Sequence, residues 1–128
     1  MKVEVSNGEL LDKLSILEIK LMNITDEEKL VNIQNEFNEL EPLAKHLFEN
    51  NEGQLQNHYN TLVKINSTLW DIEDNIRECE RNKDFGEKFI KLARAVYITN
   101  DERCEVKKII NISTGSKLVE EKGYEEYK

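Results

Sequence analysis

With 128 residues, a formal net charge of −8 and 34% charged side chains, the chain has room for one acidic domain and lacks the cationic excess of a general nucleic-acid or anionic-membrane binder, since affinity for phosphate backbones comes from neutralising cations. Leu, Ile, Val and Phe account for 37 residues, well above the roughly 20% below which a charged chain stays disordered. One proline and five glycines supply too little punctuation for the frequent tight turns of a sandwich or barrel, which disfavours an all-β fold. Cys79 and Cys104 sit in unrelated segments without CxxC or Cys/His spacing, so neither a zinc site nor a disulfide framework is indicated. No apolar run approaches a membrane span and no lipidation box occurs, so the cytoplasm is the expected compartment.

In chain order, Ser6 with Glu9 forms a capping box flanked by Val5 and Leu10, and predicts a helix from about Asn7 to Asn23 with an apolar stripe Leu10, Leu14, Leu17, Leu21 and Ile24. Thr25 with Glu28 predicts a second start. Its stripe, Leu30, Ile33, Phe37, Leu40, Ala44 and Leu47, stays in phase across Pro42, which predicts a kink or short restart. Asn50, Asn51 and Gly53 make a turn. Leu55, Tyr59, Leu62, Ile65, Leu69, Ile72 and Ile76 define a third helix to about Arg81. Asp84 with Glu87 signals a fourth, which runs without a breaker through Phe89, Leu92, Val96, Arg103 and Ile110 to Thr114-Gly115. Residues 1–5 form an extended arm and 116–128 a charged tail. The expectation is an all-α single domain over 1–128, an antiparallel bundle of about four helices with a long C-terminal helix.

Three segments carry a resemblance: V-S-N-G-E-L-L-D-K-L-S-I-L-E-I-K from Val5, L-W-D-I-E-D-N-I-R from Leu69, and F-I-K-L-A-R-A-V-Y-I-T-N-D-E-R from Phe89. Together they are similar to an uncharacterised family of short bacterial and phage proteins, a domain of unknown function. The resemblance covers most of the chain. It implies a small soluble helical protein, of a kind found near sugar-transfer genes, and carries no activity or catalytic residue.

Two carboxylate pairs, Asp71 with Asp74 and Glu102 with Glu105, have the spacing by which all-helical nucleotide pyrophosphohydrolases hold magnesium. At about 100° per residue Asp71 lies opposite the apolar face and Asp74 at its edge, while Glu102 and Glu105 point away from theirs, so these carboxylates are expected to be solvated, and no metal or other cofactor is indicated. The same helical phase places polar groups on inward faces: Asn66, Glu73 and Arg77 on the third helix, Asn100, Arg103 and Lys107 on the fourth, Glu18 on the first. Each needs a partner or a ligand, because an unpaired charge there costs several kcal/mol. This cluster is the candidate site, with a structural ion-pair layer or a polar interface as the competing expectation. His46 and His58 lack companions at ligand spacing, Trp70 reads as a core or interface anchor, and Gly8 and Gly86 read as turn or cap residues.

No nucleophile elbow, phosphate loop or H-E-x-x-H occurs. The functional expectation is a non-enzymatic helical interaction protein that forms a homodimer, with a protein partner as a further expectation. The alternative is an enzyme or binding protein for a phosphorylated or sugar-nucleotide small molecule, with Arg77, Arg103 and Lys107 beside Glu73 and Asn100 holding phosphate oxygens.

Overall fold

The computed structural model describes residues 1–128, with four helices and no strand. Ser6 starts α1 (Asn7–Asn23), its Oγ accepting the Glu9 N–H at 3.1 Å. Only that half of the expected box forms, because the Glu9 carboxylate turns instead to Lys107, at 2.8 Å. The cap of α2 (Glu27–Asn50) is Asp26, not Thr25, with its carboxylate accepting the Lys29 N–H at 3.1 Å. An anionic acceptor there also meets the positive end of the helix dipole. Pro42 lies inside α2, which continues unbroken. Both Pro42 and Asn38, whose carbonyl loses its intrahelical donor, face solvent, where water replaces the missing bond.

Gly53, at φ 95°, supplies the left-handed turn before α3 (Gln54–Arg81). Asp84, expected to cap the last helix, accepts the Gly86 N–H at 3.1 Å, and α4 (Glu87–Ser113) begins after Gly86 without a side-chain cap.

The cross-helix partners fix the topology. Gly8 meets Asn111, Glu9 meets Lys107 and Asp12 meets Arg103, so α1 runs antiparallel to α4; α3 packs antiparallel to α4 across the short turn at 82–86, so α1 runs parallel to α3, where Asn66 meets Asp12 and Ser15. The result is an up-down-up-down bundle in which α1, the shortest helix, touches all three others. The main core joins Leu11, Leu14, Ala44, Leu55, Tyr59, Leu62 and Ile110. A smaller cluster of Ile65, Leu69 and Ile72 packs against Leu92 and Val96 of α4. No helix is long and apolar enough to cross a membrane.

The segment after Ser116 has no regular structure and turns back along α4. Glu120 approaches Lys107 at 3.7 Å, Glu121 approaches Lys108 at 3.5 Å, Lys122 pairs with Asp101, and the Tyr127 ring meets Tyr97 edge-on at 5.4 Å.

Candidate functional site

Between α1, α3 and α4 lies a buried ionic layer. Asp12, 1% exposed, receives the Arg103 Nε–H at 2.9 Å and a second bond from Arg103 Nη2. Asn66 donates to Asp12 Oδ1 at 2.9 Å and to Ser15 Oγ at 2.8 Å, and Ser15 donates onward to the Asp12 carbonyl at 2.7 Å. One turn away Lys107 Nζ lies 2.8 Å from Glu9 and 3.9 Å from Asp12. The bidentate geometry suits arginine, and the extra bonds to Asp12 are what a buried carboxylate requires.

The N-terminus of α1 is closed by the far end of the chain. The amides of Asn7 and Gly8 donate to Ser116 Oγ at 3.0 Å and to Asn111 Oδ1 at 2.6 Å, and the Asn7 side chain donates to Thr114 Oγ1 at 2.9 Å. These are N–H groups with no intrahelical partner, so the chain fills its own anion-binding position.

Beside the ionic layer the three helices part, leaving an open groove of about 410 Å³. Ile16 and Ile19 of α1 and Leu69 and Trp70 of α3 form its apolar walls; Asn66, Glu73, Asp74, Arg77, Asn100 and Arg103 are its polar ones. Five of the seven candidate residues therefore share one cleft, within the size range of small-molecule sites. Glu73, expected on an inward face, is 46% exposed at the rim, paired with Arg77, which is 71% exposed, along one helix. Helical phase gives the direction of a side chain; it cannot show that the facing helix has moved away. A rim pair of this kind contributes a few tenths of a kcal/mol.

Lys107 and Glu18 lie outside the groove, Lys107 in the ionic layer and Glu18 near Tyr59. The residues the sequence reading missed are Asp12, Glu9, Ser15 and Asn111. The paired carboxylates Asp71, Asp74, Glu102 and Glu105 are exposed, and no three His, Cys, Asp or Glu side chains converge on a common point.

Bonding to Asp12 holds the Arg103 guanidinium above its ordinary value despite burial. Burial works against the Lys107 ammonium, but the Glu9 bond and the charges of Asp12, Glu9 and Glu120 outweigh it and raise Lys107 above 10.5. Burial also raises the Tyr59 phenol, with the Glu18 charge adding to the effect. The Tyr59 hydroxyl has no hydrogen bond of normal geometry, while its ring packs edge-on against Phe48 at 5.6 Å.

These shifts share one sign. A folded value above the unfolded one gives stability that is whole below the unfolded value and is lost as pH rises through the folded one. Urea midpoints should therefore fall as pH rises above about 10, where unfolded tyrosine and lysine release protons. Lys107→Met and Tyr59→Phe should each flatten that fall, and Tyr59→Phe should stabilise the protein near neutral pH by about 1 kcal/mol, because it removes a buried hydroxyl without a partner. An alkaline limb unchanged in both variants would dissociate these groups from it.

The chain belongs to a family of unknown function, DUF6165, whose family model matches residues 1–127. No curated protein and no solved structure matches it.

Proposed function

We propose that this chain is a small helical interaction protein that self-associates through the first half of α4. The observation that carries this reading is uncovered apolar surface. From Glu87 to Ile98 no residue of α4 is fully buried; Leu92, Ala95 and Val96 lie against the Ile65, Leu69 and Ile72 cluster, while Phe89, Ile90, Ala93 and Tyr97 extend the apolar surface past it, with Ile90 55% and Tyr97 45% exposed. An apolar arc wider than the face a helix turns to its own core is surface that a partner can cover.

The surface area agrees. The accessible surface is 9168 Å², whereas a globular monomer of this mass exposes about 7,000 Å². Part of the excess comes from the length of the helices and the extended tail.

The alternative, a binder of phosphorylated or sugar-nucleotide molecules, receives less support. Arg77, Arg103 and Lys107 do not converge, and each already has a carboxylate partner. A phosphate would have to displace those carboxylates.

Light scattering should give twice 15.0 kDa across a dilution series. Ile90 is 55% exposed, so Ile90→Arg should leave the fold intact by circular dichroism and return the mass to 15.0 kDa. A wild-type monomer at every concentration overturns self-association, and a variant that remains dimeric overturns this surface.

A further inference from the structure

We infer that the groove between α1, α3 and α4 is a binding site for a primary ammonium group carried on an apolar stem. This goes beyond self-association and stands on different residues.

The argument begins with which polar groups of the groove are free. Asn66 is 6% exposed. Both of its amide donations are used, on Asp12 Oδ1 and Ser15 Oγ, which fixes the plane of the amide. Its remaining atom, Oδ1, meets no donor of the protein, and Asn66 is a wall of the groove. That oxygen is open to solvent at the groove wall, where a ligand N–H can take the place of water.

The charges select the same ligand. Arg103 is taken by Asp12 and Arg77 by Glu73, whereas Asp74, on the groove wall, has no cationic partner. The residual charge of the cleft is thus a carboxylate. Trp70, half-buried beside it, offers an aromatic face, and indole is the ring that attracts cations most strongly. A carboxylate, a carbonyl acceptor and an indole all recognise N–H groups and positive charge. An anion would meet two guanidinium groups, Arg77 and Arg103, each already held by a carboxylate. The apolar walls, Ile16, Ile19 and Leu69, suit a hydrocarbon stem.

This chemistry has two sources, a free alkylamine and the side chain of a lysine in a peptide, and a titration distinguishes them. Trp70 is the only tryptophan of the chain and sits in the groove, so its emission reports binding directly. The full-length protein is titrated with 1,5-diaminopentane, with an Nα-acetyl-lysine amide and, as uncharged and anionic controls, with 1-hexanol and glucose 1-phosphate. One or both amines should produce a saturable change in emission, and the tighter of the two identifies the source. Hexanol and glucose 1-phosphate should not saturate.

Asp74 is exposed, so Asp74→Asn should fold normally and weaken amine binding by about tenfold, the loss of one charged contact. Rising salt should weaken the wild type more than the variant. Three results overturn the inference: no saturable change with either amine, equal affinity in Asp74→Asn, or saturation by the phosphate ester in place of the amines. Because Trp70 lies outside the Glu87–Ile98 surface, Ile90→Arg should bind amine as the wild type does, so failure of the groove and failure of self-association are separable.

Discussion

Replacing Arg103 by Met should destabilise the protein by about 3 kcal/mol, the lower end of the range for breaking a buried ion pair. The cost arises at Asp12. With 1% of its surface exposed, that carboxylate would keep only the Asn66 amide and the Lys107 ammonium at 3.9 Å. The lower end applies because the Arg103 side chain is 28% exposed and water can enter where it leaves. Against a total of about 5 to 15 kcal/mol for a domain, the loss is large. The pair itself need not favour the folded state by that amount, since desolvating both ions offsets most of their attraction. The double variant Asp12→Leu with Arg103→Met should therefore recover most of the loss. Urea midpoints of the wild type, both single variants and the double variant close the cycle. Additive losses would mean that the two side chains do not interact.

The α3 helix was legible because it presents one regular stripe. Every residue of the expected α3 stripe from Leu55 to Ile72 is buried, and the stops at Arg81 and Thr114 agree with the observed ends. In α1 the Leu10, Leu14, Leu17 and Leu21 stripe carries the hydrophobic signal, yet the helix is buried on a second seam as well: Gly8, Asp12, Ser15 and Ile19. That seam has helical spacing, and its small and polar residues give it no hydrophobic signal. The run of Gly8, Asp12 and Ser15 at intervals of four and three is the signal it does carry. Small residues allow close approach of two backbones, and an acid among them answers the cations on α4. The site was therefore half legible. Arg103, Lys107 and Asn66 stood out as inward polar groups requiring partners, whereas the partners, Asp12, Glu9 and Ser15, were missed. Glu73 shows the opposite limit. Its angular position on α3 is inward, but no helix closes over it.

Gly8 tests that seam most sharply. A Cβ on Gly8 would stand 2.5 Å from the Lys107 carbonyl oxygen and 2.9 Å from Asn111 Oδ1. The first contact is backbone, so no rotamer change relieves it, and α1 must move away from α4. Ala is otherwise favoured over Gly within a helix by about 1 kcal/mol, so a destabilised Gly8→Ala would show that the close approach outweighs propensity. We expect a net loss of about 2 kcal/mol, within the range for overpacking. The displacement should also stretch the bonds that share the seam, from the Gly8 amide to Asn111 and from Arg103 to Asp12. The Asp12–Arg103 coupling energy, measured by the same four-variant cycle in a Gly8→Ala background, should consequently shrink. Gly86→Ala is the control, since its Cβ would meet only Asp84 Oδ1 at 3.4 Å, and it should stay within about 0.5 kcal/mol of the wild type. If Gly8→Ala proved as stable as the wild type, with the coupling unchanged, α1 and α4 would be farther apart than this packing places them.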